Sequence, residues 1–446
     1  MSQSQSSGAA DSIVVPSRQE LLDRLKRANQ FVWISVPTQV LLIVFLVLVI
    51  DWPKVVQNLW LPIIAVTAMI GSTLQGVLMF SLGAKKEIGK IREDAKFGEF
   101  DKYRLRELYK NTLDKLGLPD EGLPVYITPD KTLNAGALHL GLAGLVKSLN
   151  GIYLNRQILH KLEADEVQDT MGHELGHYYR HYLLGERFRI ITLTLGGLVG
   201  IFVAQWLDMT DVFTFGILSV CAWVFWFISS LPHARNIRAI EFLCDDFGAQ
   251  VNGVVVSINS LLKLGADAEL QLAILHKTVL ANKDSRLNAS ELVEGILEAI
   301  PYGHASREEL EKAVENSLKK RSAQVKKTSI AGLIRYLWIG DGDGDAKAEL
   351  LEQAKQLAKL QSQPRLQWET LLSDPSRIRL NEDQVEQLVA MMERNPSLPL
   401  FRVQTTAEQG ADEHPPLEAR ILYLWKNRRE IEQEKPHLRR LATSRF

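Results

Sequence analysis

Four long uncharged runs constrain how this 446-residue chain can fold more than any other feature. They cover residues 31–50, 59–83, 190–207 and 212–231. Each is at or near the length of about 20 apolar residues that crosses a bilayer as a helix. Buried helices of a large soluble core can be as apolar, but four such runs in two close pairs are unusual there. We therefore predict four transmembrane helices.

The first run is not expected to be a cleavable signal peptide, because it is too long and a polar segment of about thirty residues precedes it. The hairpin at 208–211 carries no Lys or Arg, whereas the outer ends of both pairs of runs are basic. By the positive-inside rule, both termini and the polar sequence between the pairs face the cytoplasm. The basic residues that set this orientation are Arg18, Arg24, Lys26, Arg27, Lys85, Lys86, Lys90, Arg92, Arg187, Arg189, Arg235 and Arg238.

Composition excludes some classes of protein. The net charge of -1 shows no bias toward nucleic acid, so we expect no nucleic-acid partner. The only cysteines are Cys221, inside the fourth run, and Cys244, so there is no disulfide framework. A cytoplasmic compartment would keep Cys244 reduced.

The sequence HELGH at 173–177 carries the strongest chemical signal. On a helix, His173 and His177 lie one turn apart on one face, where both imidazoles can bind one tetrahedral zinc ion. Glu174 then points toward the attacking water rather than toward the metal, as a general base. The simpler interpretation is a helix with two ordinary histidines. The motif predicts one Zn²⁺ per chain, with a third protein ligand elsewhere.

Glu241 is the candidate for that third ligand. In the stretch from 240 to 245, Glu241 and Asp245 are one helical turn apart, so Glu241 can reach the metal while Asp245 accepts a hydrogen bond from a ligand imidazole. A solvated acidic helix face is the alternative. Cys244 could share a face with Glu241, but we favour a packing role for it.

Two short strands are predicted between the second run and the HELGH helix. One lies at 123–129, bounded by prolines, and the other at 151–154. The stretch from 133 to 149 between them is rich in Gly, Ala and Leu. Near the N-terminus, residues 18–27 form an amphipathic stretch that we expect at the membrane surface.

Taken together, these segments resemble the HtpX-like membrane metallopeptidases, part of a wider group that includes the CAAX prenyl proteases. The similarity in order and spacing covers residues 30–255, with two runs before HELGH and two between it and Glu241. Ile240 departs from the family, which usually has Arg there, and Gly136 stands where a bulky residue is common. The segments that carry the resemblance are Asn134-Ala135-Gly136-Ala137, 151–154, 165–167, HELGH with His181, Glu241 with Asp245, and the His-Pro-Pro segment at 414–421.

The resemblance implies the fold class and the activity. The fold would be an α-helical membrane protein with four transmembrane helices and a cytoplasmic, mainly α gluzincin-type α+β peptidase domain with a small sheet. The activity would be zinc endopeptidase cleavage of misfolded or damaged membrane proteins in a bacterial inner membrane. The implied divisions are 1–30, an N-terminal cytoplasmic segment; 31–83 and 190–231, the membrane helices; 84–189 and 232–304, the peptidase domain; 305–410, a helical insertion; and 411–446, a closing segment with a basic tail.

Several site assignments stay open. Substrate would add to an edge strand at Asn134, Ala135, Gly136 and Ala137, as extended peptides do. Arg420 is favoured only narrowly as the group that stabilises the transition state. The other candidates for that role are His181, His233, His304, His414 and Arg238.

The predicted insertion contains an acidic stretch with calcium-loop spacing. Asp341, Asp343, Asp345 and Glu352 match positions 1, 3, 5 and 12 of such a loop, but Ala346 replaces the glycine at position 6. A turn that caps a helix beginning near Ala346 explains the same residues more simply. A capping box at 306–309 is expected to open another helix there.

Three other functions compete with the endopeptidase. A CAAX-type processing protease is the enzymatic alternative, although four spans are few for the membrane chamber of those relatives. An intramembrane protease is disfavoured because charged residues flank HELGH on both sides. A non-proteolytic membrane scaffold that retains a zinc site has no use for Glu174. The oligomeric state is not predicted.

Overall fold

A computed structural model describes residues 15–57, 85–120, 123–129, 133–138, 151–177, 185–207, 212–281, 364–374, 377–402 and 414–434. The chain divides into two compact units. Of the described residues, the site unit comprises those within 16–254, 414–415 and 426–434, and the C-terminal unit comprises those within 255–402 and 416–425.

The helices and strands follow one another in a simple order. The N-terminal elements are α1 (Arg18–Val49), α2 (Trp52–Gln57), β1 (Lys86–Glu87), β2 (Lys96–Phe97), β3 (Phe100–Asp101) and α3 (Lys102–Leu116). The central elements are β4 (Val125–Thr128), β5 (Ala135–Leu138), β6 (Gly151–Asn155), α4 (Ile158–Lys161) and α5 (Ala164–Leu175). The remaining helices are α6 (Gly185–Trp206), α7 (Val212–Asn252), α8 (Val254–Ala281), α9 (Glu382–Arg394), α10 (Leu417–Lys426) and α11 (Arg428–Gln433).

Three helices among the described residues are long and apolar enough to cross a membrane, namely Arg18–Val49, Phe188–Trp206 and Gly216–Asn252. Their outer surfaces expose large apolar side chains, for example Leu41 at 71% and Trp223 at 66%. So much exposed apolar surface is typical of helices that face lipid. The three helices therefore indicate a membrane protein. The predicted span at 59–83 lies outside the described residues.

Two helices are longer than the sequence indicated. α1 begins at Arg18 with a capping box between Ser17 and Glu20 and runs without a break through the stretch expected at the membrane surface. α7 joins the predicted span at 212–231 to the predicted acidic helix, with Pro232 inside it. The carbonyl of Pro232 accepts a hydrogen bond from Asn236 Nδ2 at 2.7 Å. A ligand-bearing segment is thus continuous with a membrane-type helix.

The sheet that supports the HELGH helix has the strand order β1-β4-β6-β5. β4 and β6 are parallel, while β1 pairs antiparallel with β4 and β5 pairs antiparallel with β6. The predicted strands at 123–129 and 151–154 are confirmed as β4 and β6. β5 is the outermost strand on its side among the described residues.

A buried ion cluster in the site unit joins the start of α1 to the end of α7 and to the residue after α11. Arg18 Nε lies 2.6 Å from Asp246 Oδ2, and a terminal nitrogen of Arg18 pairs with Glu434. Gln250 Nε2 donates to Asp246 at 2.8 Å and to Glu434 at 2.9 Å. Sequence reasoning missed this cluster, because its three segments are far apart in the chain. It fixes the part of α7 that follows Glu241.

Replacing Arg18 with Ala is expected to lower the free energy of unfolding by about 3 kcal/mol, because the buried Asp246 and the partly buried Glu434 lose their ion pairs with the guanidinium group. Unfolding in detergent micelles, followed by circular dichroism, measures the effect. Lys54→Ala is the control, since Lys54 pairs with Asp51 at 3.6 Å on the surface and should change stability by less than about 0.5 kcal/mol. Equal effects of the two substitutions would contradict the buried cluster.

The C-terminal unit packs aromatic side chains and polar anchors around α8. Trp368, in a 3₁₀ helix at Trp368–Leu371, is fully buried and meets the Phe401 ring edge to face at 5.6 Å. Asn259 on α8 donates to Leu380 O and accepts from Leu380 N, at 2.9 and 2.7 Å. Only part of the predicted insertion at 305–410 is described, and it contains α9. The calcium-type acids at 341–352 and the capping box at 306–309 lie outside the described residues.

Candidate metal centre

The helix that carries HELGH is fixed at its start and along one face. Glu163 and Glu166 form a capping box, in which Glu163 N donates to Glu166 Oε2 at 2.8 Å. Val167, Met171 and Leu175 follow at helical spacing and are fully buried. α5 ends at Leu175, and residues 176–177 continue it in π-helical geometry. The buried stripe thereby orients the two histidines.

Close packing between α5 and α7 brings Glu241 to the histidines. Gly172 and Gly248 lie where the two helices approach, and a Cβ at either position would meet the other helix within 3.0 Å. No residue larger than Gly fits these places without moving a backbone. Cys244 is fully buried in the same interface, as the packing interpretation predicts, and is not part of the potential metal-binding group found among the described residues.

His173, His177 and Glu241 present their ligand atoms to one point. The two Nε2 atoms are 3.2 Å apart, while His173 Nε2 lies 3.6 Å from Glu241 Oε2 and His177 Nε2 lies 3.3 Å from Glu241 Oε1. Tetrahedral ligands at about 2.0–2.1 Å from zinc are about 3.3 Å from one another. The observed spacing therefore fits zinc, and two nitrogens with one carboxylate are a donor set that zinc favours.

One carboxylate oxygen of Glu241 is incompletely satisfied among the described residues. Glu241 is 3% exposed, and its Oε2 has no hydrogen bond of good geometry from them. The nearest donor is His414 Nδ1, which lies 2.9 Å away on a side chain that is 59% exposed. An incompletely satisfied carboxylate oxygen is costly when it is buried. A cation between Glu241 and the two imidazoles would satisfy it.

Asp245 orients one of the histidines. His173 Nδ1 lies 3.0 Å from Asp245 Oδ1, so a proton on Nδ1 is held by Asp245 and Nε2 is left for a metal. Asp245 is buried, one turn after Glu241 on α7. A single helical turn thus supplies a ligand carboxylate and the carboxylate that orients a second ligand.

The two histidines differ in their charged neighbours. Burial lowers the pKa of His173, but the hydrogen bond and charge of Asp245 outweigh it and raise the pKa to about 9. At His177, burial and the charge of His173 lower the pKa to about 4. Without a metal, the pair therefore carries one positive charge at neutral pH, on His173, while His177 is neutral.

Zinc binding at pH 7 is expected to release about one proton, because a nitrogen ligand must be deprotonated. The apparent affinity should rise about tenfold per pH unit between the two pKa values and level off above the higher one. Titration calorimetry in buffers of different ionisation enthalpy measures the release. Asp245→Asn should reduce it, since the charge that raises the His173 pKa is gone. A binding enthalpy independent of buffer would contradict this assignment.

Glu174 is the acidic residue of the HELGH motif that was predicted to act as a general base. It follows His173 directly and is buried at 5% exposure. Its negative charge contributes to the raised pKa of His173. Glu174 does not belong to the group of three whose ligand atoms lie close together.

The remaining predicted site residues have diverse placements. Ala135, Gly136 and Ala137 lie in β5 and Asn134 precedes it, and no described atom would lie within 4 Å of a Cβ at Gly136.

The candidates for the group that stabilises the transition state lie in different parts of the chain. Arg420 is buried on α10, in the C-terminal unit. His181 and His304 lie outside the described residues, and Arg238 is an exposed residue of α7. His233 also lies on α7. Of the candidates for the stabilising role, the structure places His414 against a ligand.

Comparison with known sequences agrees with this geometry. Residues 100–276 match the sequence model of peptidase family M48. The matched region contains the HELGH helix, Glu241 and Asp245, and the match supports a metallopeptidase. No curated protein and no solved structure matches the chain.

Proposed function

We propose that the chain is a membrane-bound zinc endopeptidase that hydrolyses peptide bonds on the cytoplasmic side of a bacterial inner membrane. The observation that carries the proposal is the close approach of His173, His177 and Glu241, with 3.2 Å between the two imidazole Nε2 atoms and 3.3 to 3.6 Å from each of them to a Glu241 oxygen. Glu174 beside it argues against a purely structural metal site, since such a site has no use for a base.

His173, His177 and Glu241 would hold the zinc, which would polarise the scissile carbonyl and lower the pKa of a bound water. The carboxylate of Glu174 takes a proton from the attacking water and passes it to the leaving amine. Asp245 keeps the His173 ring in one orientation while this happens.

A positive group near the developing oxyanion lowers the barrier further. His414 is now a better candidate for this role than Arg420, because its Nδ1 lies 2.9 Å from Glu241 Oε2 in the same unit. Its side chain is 59% exposed, so the ring has room to turn toward a substrate. The narrow preference for Arg420 that the sequence suggested stays a prediction.

An extended substrate segment would pair with β5. This strand has one neighbour, β6, among the described strands, and the opening at Gly136 allows a peptide backbone to come close. Main-chain pairing tolerates many side chains, which suits a peptidase that acts on unfolded segments of membrane proteins.

The alternative enzyme is a CAAX-type processing protease, which would cleave only prenylated peptides. The alternative without catalysis is a membrane scaffold that retains a zinc site. Both are distinguished from the endopeptidase by what the purified chain cleaves.

The test uses the full chain, purified in detergent, stripped of metal with a chelator and restored with zinc. Two substrates are compared, an unfolded casein and a prenylated peptide ending in a CAAX sequence. Cleavage of casein that depends on zinc supports the endopeptidase. Cleavage of the prenylated peptide alone identifies the processing protease. Bound zinc without cleavage of either substrate moves the assignment to the scaffold.

A further inference from the structure

Four arginines gather at one end of the three membrane-type helices. Arg24 and Arg27 precede the apolar part of α1, Arg189 lies in the second turn of α6, and Arg235 follows the apolar part of α7. At the opposite end, the described residues 50–57 carry one ion pair, between Asp51 and Lys54. The cationic charge of the bundle is therefore concentrated at one level.

Direct contacts join two of these arginines, Arg24 and Arg235, and packing of the helices places the other two at the same level. Arg24 Nε donates to Asn236 Oδ1 at 3.0 Å, and a terminal nitrogen of Arg24 donates to the carbonyl of Arg235. This places the start of α1 against α7. α1 also packs against α6, where the rings of Phe31 and Phe188 meet edge to face with their centroids 6.4 Å apart.

A second contact joins α1 and α6 farther along both helices, where Thr192 Oγ1 donates to Gln39 Oε1 at 2.9 Å. Phe31 lies one turn after Arg27, and Phe188 directly precedes Arg189. The four arginines thus lie on three packed helices at one level of the bundle.

These guanidiniums lack countercharges inside the described part of the protein. In that part, the carboxylates that form ion pairs do so with other cations, such as Arg18, Lys90 and Arg104. Arg189 is half-buried, and its Nε is a buried donor without an acceptor among the described residues. A buried charged donor without a partner is costly, so a site of this kind favours an external acceptor.

The surface beside the arginines is apolar on its membrane side. Phe31 is 60% exposed on α1, and Phe227 is 52% exposed on α7. Phosphate groups lie at this boundary in a bilayer, directly above the acyl chains. Guanidinium groups bind phosphate oxygens through paired N–H donors, with more geometric specificity than lysine.

We propose that Arg189, with Arg24, Arg27 and Arg235, binds the phosphate of an anionic phospholipid headgroup. Its acyl chains would lie along the exposed apolar faces of α1 and α7. A free phosphate ion offers the same oxygens to the arginines but gains nothing from these apolar faces, so the structure favours the lipid. The inference rests on the membrane insertion in the proposed function.

The test is native mass spectrometry of the full chain, released from detergent after titration with phosphatidylglycerol or phosphatidylcholine. The wild type should retain phosphatidylglycerol preferentially. Arg189→Gln should weaken this retention about fivefold, as expected for one basic residue at a membrane surface. Arg189→Lys should weaken it too, since it keeps the charge but loses the planar donors. Lys54→Gln, beyond the other end of α1, should have no effect.

Three results would overturn the inference. Equal retention of the two lipids excludes headgroup recognition. Retention by Arg189→Lys equal to that of the wild type indicates a diffuse surface charge instead of a binding site. Displacement of the lipid by millimolar inorganic phosphate identifies a phosphate-ion site. Recovery of the chain in the soluble fraction of cells contradicts the proposed function itself, whereas a membrane-bound chain without lipid preference contradicts this inference alone.

Discussion

Glu174→Gln is expected to lower kcat by about 10³-fold while the protein stays folded and binds zinc, because general base catalysis contributes about 10² to 10⁴. The substitution preserves the shape of a side chain that is 5% exposed, so no cavity forms. What it removes is the carboxylate that accepts the proton of the attacking water. The three proposed zinc ligands, His173, His177 and Glu241, are untouched.

The measurement pairs zinc content with the rate of casein cleavage on the same protein sample. Glu107→Gln is the matched control, because Glu107 is an exposed acid on α3 that pairs with Arg104 at 3.0 Å. It should leave both zinc content and rate unchanged. Substantial turnover by the Glu174→Gln variant would refute the assignment of the base. Loss of zinc from that variant would show that Glu174 is a ligand.

Glu241→Gln is expected to weaken zinc binding about 10³-fold. Structural zinc sites bind with about 12 kcal/mol, so each of three ligands carries about 4 kcal/mol, which corresponds to about a thousandfold. The substitution leaves the side-chain volume in place but removes the negative charge that faces both imidazoles. Activity should fall with metal occupancy and recover in part at high zinc concentration.

A comparison with Asp245→Asn distinguishes a proposed ligand, Glu241, from the residue that orients a ligand, Asp245. Asp245→Asn should weaken zinc binding about 10- to 100-fold, as is typical of carboxylates that hold a ligand histidine. Competition with a chelator of known affinity measures both variants. Equal losses of zinc affinity in the two variants would contradict this division of roles. A larger loss in Asp245→Asn would mean that the roles of the two carboxylates are exchanged.

The local features of the site could be read from the sequence. The pair His173 and His177 is local, since an i, i+4 spacing shares a face on any helix. The pair Glu241 and Asp245 follows the same rule on another helix. Periodicity of this kind depends on backbone geometry alone, so a chain met for the first time reveals it.

Other features of the site depend on contacts between distant segments. Gly172 and Gly248 permit the approach of α5 and α7, yet glycines inside helices carry no signal that tells close packing from chance. The meeting of His414 with Glu241 joins two segments that lie far apart in the chain. The sequence offered His414 as one of six candidates and could not rank it first.

By itself, the sequence determined the membrane character, the motif helix, the two strands β4 and β6, and the residue types able to bind zinc. Each of these follows from hydrophobicity or periodicity within a short window. Only the tertiary structure decided that α7 is one helix from the membrane run to Asn252 and that Arg18 anchors Asp246. These depend on burial and on ion pairing between distant residues, which no local pattern encodes.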